Sequence, residues 1–171
     1  MNIPSLSRPP VVSIIINNYN YGRYLVAAID SALQQRECAL EVIVVDDGST
    51  DHSRTVIAQY GEQIIPILKA NGGQASALNA GFARSSGEIV LFLDADDLLL
   101  PETGRRVCEA FAANPAVAKV QYRMAVIDEA GARTGQLKPA RHLPLPSGDL
   151  REQVLRFPFD LTWMATSGNA F

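Results

Sequence analysis

Residues 89–93, Ile-Val-Leu-Phe-Leu, run without a polar interruption straight into Asp94, Asp96 and Asp97. A short run apolar on both alternating faces reads as a strand buried on both sides, as in a parallel sheet covered by helices. Such a strand cannot carry charge inside the sheet, so the aspartates must begin where it leaves. In open α/β sheets ligands sit at that edge. Two unit charges about 4 Å apart cost roughly 4 kcal/mol at an effective dielectric near 20, so these acids call for water, a raised pKa or a bound cation. A divalent metal is the expectation for Asp94 and Asp96. The plainer alternative is a solvated acidic loop capping the next helix, a role that suits Asp97 better.

The same pattern recurs upstream. Residues 11–16, VVSIII, form a second β-branched apolar run and lead into Asn17, Asn18 and Tyr19. A third run, residues 41–45, ends in Asp46, Asp47 and Gly48. Residues 64–68 make a shorter run containing Pro66, which suits an edge strand or a bulge. Between the runs lie helical stretches. Over 24–35, Leu25, Ile29 and Leu33 recur every four residues with Ala28 and Ala32 beside them, which is one face of a helix. Ser49, Thr50 and Asp51 offer N-caps for a helix ending near Gly61. A small-residue helix over 75–84 is expected to close at Gly87, and Pro101 to open a helix running to about Ala113. Residues 118–128 read as one long strand, turning through DEAGAR into a shorter strand near Thr134, and residues 136–148 as the one long loop. Asp149 is placed as the cap of a helix with Leu150, Val154 and Phe157 on one face. This alternation predicts an α/β chain: a Rossmann-like, mostly parallel central sheet with helices on both faces.

The chain has 171 residues, enough for one domain, expected to span 1–171 behind an arm at 1–9. A net charge of −3 supplies no basic footprint and argues against nucleic acid as a main partner. No apolar run approaches membrane-spanning length. Cys38 and Cys108 have neither metal nor redox spacing and read as free thiols in a reducing compartment. The expected location is the cytoplasm, with peripheral attachment at the inner face of the membrane left open.

Parallel strands bring the three polar ends to one edge. The Gly-rich phosphate loop of dinucleotide folds is missing, and DDGS and NGG are no substitute for it. A ligand diphosphate would therefore need a metal bridge. On an extended segment Asp94 and Asp96 would point the same way, about 7 Å apart, with phosphate oxygens completing the metal shell.

The blocks VSIIINNYNYGRYLVAAIDSALQQ, EVIVVDDGSTDHS and NGGQASALNAGFARSSGEIVLFLDADD resemble, in order and spacing, the N-terminal half of the family-two inverting glycosyltransferases, which have the GT-A fold. The similarity is dense over 10–97 and fainter toward the end of the chain. The resemblance implies a nucleotide-sugar donor, a UDP-sugar by preference, Mg2+ or Mn2+, and a glycan, lipid or other hydroxyl acceptor, in cell wall or polysaccharide biosynthesis. It further implies that Tyr19 stacks on the base, that Asn17 contacts the base through its backbone, and that Asp47 hydrogen-bonds the base. Asp94 and Asp96 match the D-x-D pair, the first near the ribose and the second on the metal. The family's general base lies well downstream. Asp128 and Asp160 do not stand in its motif, so the base is expected beyond Phe171 and the chain is expected to be truncated.

The plainer readings stand beside these. Tyr19 could pack on the sheet edge as a turn aromatic, and Asp46 is the more structural of its pair. Asn79, Arg84, His52 and His142 read as ordinary helix or loop residues, Lys69 as a minor phosphate candidate, and Trp163 as core before sugar site. Leu78 stands where the family commonly has arginine. Two competing functions were weighed: a haloacid-dehalogenase-type phosphatase, since FLDADD is a strand ending in D-x-D, and a nucleotide-sugar-binding fragment without transfer activity.

Overall fold

A computed structural model describes residues 10–143, 145, 147, 148, 167, 169 and 170. Its elements follow in chain order: β1 (Val11–Asn18), α1 (Gly22–Leu33), β2 (Ala39–Asp47), α2 (Ser53–Gln59), a 3-10 turn (Gly61–Gln63), β3 (Ile65–Lys69), α3 (Gln74–Arg84) and β4 (Ile89–Asp94). Then come α4 (Thr103–Ala113), β5 (Val120–Gln121), β6 (Met124–Ile127), β7 (Arg133–Lys138) and β8 (Asn169–Ala170). The main sheet has the order β3-β2-β1-β4-β8-β5, and β6 and β7 form a separate hairpin. The first four strands in that order are parallel, and β8 runs antiparallel to β4 and β5.

Period-two alternation explains why the buried strands look apolar throughout. On one face Val12, Ile14, Ile16, Val42, Val44, Leu91 and Leu93 pack with Leu25, Ala28 and Ile29 of α1, Val56 and Ile57 of α2 and Val107 of α4. On the other, Ile15, Ile43, Val45 and Val90 pack with Ala77 of α3. Both faces are covered, so neither register can be polar. The predicted face of α1 is the buried one. β3 is an edge strand, and its Pro66 lies beside Val44 in the ladder.

Several boundaries differ from the sequence reading: β7 runs to Lys138, into the stretch read as loop, His52 rather than Ser49, Thr50 or Asp51 stands at the N-cap of α2, and three further differences have a visible cause. The stretch 118–128 is not one strand: β5 belongs to the main sheet and β6 to the hairpin. The break falls at Arg123, whose guanidinium donates to the carbonyls of Pro139, Ala140 and Leu143 and draws the chain away from the sheet. Pro101 precedes α4, which starts at Thr103; the Gly104 N–H at that end donates to Gln35 Oε1 at 2.8 Å. Gly87 does not cap α3, whose last residue is Arg84. A Cβ at Gly87 would lie 2.6 Å from the Val11 carbonyl oxygen, so the glycine is there for close approach to β1. The helix expected after Asp149, together with Asp160 and Trp163, lies outside the described residues.

Candidate nucleotide-sugar site

The parallel register places Asn17 beside Asp94, Asn18 beside Asp46 and Asp47 beside Lys69. Their carboxyl ends open into one cleft of about 290 Å³ lined by Asn17, Tyr19, Tyr21, Asp47, Asn71, Gly73, Gln74, Asp94 and Asp96, among others. All five residues singled out from the sequence, Asn17, Tyr19, Asp47, Asp94 and Asp96, therefore meet in one place.

Asp94 ends β4 and is held from two sides. The Asn17 side chain hydrogen-bonds its carboxylate, and Gln74 Nε2 donates to Oδ1 at 3.0 Å. Its own N–H donates to Ser167 Oγ at 2.9 Å. Burial pushes the Asp94 carboxyl above the usual range; the neighbouring Asp97 and Asp96 charges push the same way, against the pull of Asn17 and Gln74. Asp97 is likewise raised, by burial first and by Asp96, with Ser167 and Lys138 opposing. Asp97 N–H donates to the Asp94 carbonyl at 3.0 Å, so residues 94–97 form a tight turn. The extended geometry assumed for Asp94 and Asp96 from the sequence therefore does not hold: Asp96 sits in the turn, exposed.

The two acids of DDGS part company in their partners. Asp46 is fully buried and accepts from Asn18 Nδ2 at 3.1 Å, Ser49 N–H at 3.2 Å and Arg54 Nε at 2.8 Å. That is a structural role, as expected for it. Asp47 lines the cleft, yet its carboxylate already accepts from Lys69 Nζ, Gly72 N–H at 3.0 Å and Gly73 N–H at 2.7 Å. Burial pushes this carboxyl up, but the lysine and the two amides outweigh it and hold it below the ordinary range. Lys69, engaged with Asp47 and the Ala70 carbonyl, is not presented as a phosphate ligand.

Tyr19 is 48% exposed and available as a stacking surface. Tyr21, 45% exposed, adds an aromatic the sequence reading passed over, with its ring centroid 6.0 Å from that of Tyr24. Gln74 and Asn71 were also missed. The available signal was position: both follow a strand end, and Gln74 opens a helix behind a glycine pair, where a polar side chain faces the same edge. His52, Asn79 and Arg84 are exposed, as expected of ordinary loop and helix residues.

The donor set suits a hard cation. Asp94 and Asp96 supply carboxylate oxygens, and among the described residues no basic side chain lines the cleft. Among the described residues no three potential ligands converge on one point, so these acids do not form a closed cage. An ion held here would keep positions open for ligand oxygens.

Residues 13–168 match the model for glycosyl transferase family 2. The chain belongs to that family. It is 43% identical to an uncharacterized glycosyltransferase of Nostoc sp., over 94% of this chain and 50% of that protein. It is 36% identical to the succinoglycan biosynthesis protein ExoO of Rhizobium meliloti, over 64% of this chain and 32% of that one. Among solved structures, a mannosyltransferase from Pyrobaculum calidifontis, in complex with GDP-Man and Mn2+, superposes with a TM-score of 0.56 at 29% identity, over 71% of this chain and 37% of that chain. The fold is thus GT-A, as the sequence resemblance implied. The chain spans about half the length of the Nostoc relative. No helix among the described residues is long and apolar enough to cross a membrane.

Proposed function

We propose that this chain forms the donor-binding part of an enzyme that moves a sugar from a nucleoside-diphosphate sugar to an acceptor hydroxyl with inversion, in polysaccharide or glycoconjugate biosynthesis. The observation that carries the reading is the cleft itself: an exposed aromatic, amide groups and two D-x-D carboxylates at one sheet edge, with no basic side chain in the lining. None of the described lining residues would neutralise a diphosphate. Mg2+ or Mn2+ held by Asp96 would supply that charge and polarise the leaving nucleoside diphosphate. The Mn2+ and GDP-Man bound to the Pyrobaculum relative support this choice of ligands.

Each side chain has a task in this reading. Tyr19 stacks on the base, and the backbone at Asn17 meets the base edge. Asp47 keeps the 71–73 loop folded against that pocket, and any contact of its own with the base is made by an oxygen that also serves the loop. Asn17 and Gln74 hold the Asp94 carboxylate in place near the ribose. Asp128 is read as a turn residue: its Oδ1 accepts from the Ala130 and Ala132 amides and closes the β6–β7 turn.

Isothermal titration with UDP and with GDP, each with Mn2+, Mg2+ or EDTA, tests the proposal. Nucleotide binding should appear only with a divalent ion and should vanish in Asp96→Ala. Metal-independent binding, or an Asp96→Ala protein that binds like the wild type, would overturn it.

A further inference from the structure

A second concave surface collects positive charge on the β6–β7 hairpin. Ala125 pairs with Leu137 and Ile127 with Arg133, so two steps along β6 are matched by four along β7. The surplus bows β7 outward, and Gly135 lies within it at φ +82°, with open space where a Cβ would point. A bulge of this kind re-aims the side chains beside it. The result is a cavity of about 610 Å³ lined by Arg133, Gly135, Gln136, Leu137 and Arg141, among others.

The wall opposite the bulge is tied down. Arg123 donates from Nη1 to the carbonyls of Pro139 at 2.9 Å and Ala140 at 2.8 Å, and from Nη2 to Leu143 at 2.5 Å. The segment carrying Arg141 is thereby fixed against the hairpin. Thr134 Oγ1, which donates to the Val126 carbonyl at 3.0 Å, fixes the other end. Among the described residues no acid lines the cavity, and neither Arg133 nor Arg141 forms an ion pair. Asp128 in the turn has its Oδ1 engaged by the Ala130 and Ala132 amides. Arg133 and Arg141 are both exposed on this one concave surface, and their planar forks match phosphate and carboxylate oxygens.

We propose that this cavity receives an anionic group of the acceptor, a phosphate or a carboxylate, gripped by Arg133 and Arg141. Its assignment to the acceptor rests on the sugar-transfer reading; the anion site itself does not.

The test uses wild type, Arg133→Ala, Arg141→Ala and the double variant, stripped of metal on a chelating resin and titrated at low salt, with no chelator in solution, with inorganic phosphate and separately with glucuronate. Without metal the acidic donor cleft does not compete for either anion. At least one anion should bind the wild type and bind the double variant at least about tenfold more weakly, a loss of about 1.4 kcal/mol. Whichever anion binds identifies the source of the charge. UDP with Mn2+, titrated into the same proteins, should be unaffected by either arginine substitution. Failure of both anions to bind the wild type, or equal binding by the double variant, overturns the site. If anions bind as expected but UDP with Mn2+ does not bind the wild type, the sugar-transfer reading and the acceptor assignment fall while the anion site stands.

Discussion

Replacing Asp47 tests whether its first duty is to the protein or to a ligand. Asp47→Ala removes the acceptor for the Lys69 ammonium and for the Gly72 and Gly73 amides at once. The carboxylate is buried, and the Lys69 side chain is only 24% exposed. Breaking a buried ion pair by deleting one partner costs about 3–5 kcal/mol. Gly72 and Gly73 are exposed and can turn to water, so the lower end, about 3 kcal/mol, is expected. For a chain of this length that corresponds to a fall in melting temperature of roughly 6–12 °C. Asp47→Asn keeps one acceptor oxygen and should lose about half as much. The pH dependence follows from the sign of the shift. A carboxyl held below its ordinary value contributes stability above the unfolded pKa and loses it as pH falls through the folded one. The gap between wild type and Asp47→Ala should therefore be full at neutral pH and close below about pH 4. Differential scanning fluorimetry across pH, without nucleotide, measures both. An Asp47→Ala protein that melts with the wild type at pH 7 would refute the scaffolding role and leave ligand contact as the reason for this acid.

The remaining expectations concern the cleft and the helix beneath it. Asp94 is raised by burial and by its acidic neighbours, so its ionisation costs stability progressively as pH rises from the unfolded pKa to the folded one; metal-free Asp94→Asn should be more stable than the wild type at pH 7, with the advantage gone below about pH 4. The same variant should lose metal-dependent nucleotide binding by calorimetry, and a lower melting point at pH 7 would contradict the repulsion argument. Tyr19→Ala should weaken nucleotide binding by roughly 1–3 kcal/mol, the usual worth of an aromatic under a base, while Tyr19→Phe should bind nearly as well. Gly81→Ala should destabilise the fold although alanine favours helix by about 1 kcal/mol, because overpacking costs about 1–3 kcal/mol. The new Cβ would lie 2.3 Å from Ile15 Cγ2, and Ile15 is fully buried with no room to yield. Chemical denaturation checks this, and an increase in stability would show that α3 can lift from β1 freely.

Much of the fold was legible because burial on both faces writes itself directly into composition. β1, β2 and β4 are short β-branched or apolar runs that end abruptly in polar residues, and such runs can only be interior parallel strands with their ends at a common edge. That argument brought the strand ends carrying Asn17, Asn18 and Tyr19, Asp46 and Asp47, and Asp94, Asp96 and Asp97 to one edge before any coordinates; the family resemblance picked Asn17, Tyr19, Asp47, Asp94 and Asp96 out of them, and these five line one cleft. Local sequence said less where the chain leaves the sheet. The apolar pattern of 118–128 continues across Arg123, and only the carbonyls of Pro139, Ala140 and Leu143, far along the chain, divide it into β5 and β6.

The sequence by itself therefore determined which residues reach the edge where the cleft opens, since side-chain period and strand ends are local properties. The tertiary structure alone decided what each of them is free to do there. Asp47 is bound to Lys69 and to a loop that begins more than twenty residues later, Asp94 is clamped by Gln74 from α3, and Asp96 is turned out of the strand direction by the turn at 94–97. A hydrogen-bonding group has few partners and takes the nearest well-aligned one. Which one is nearest depends on how helices and loops from distant parts of the chain settle on the sheet.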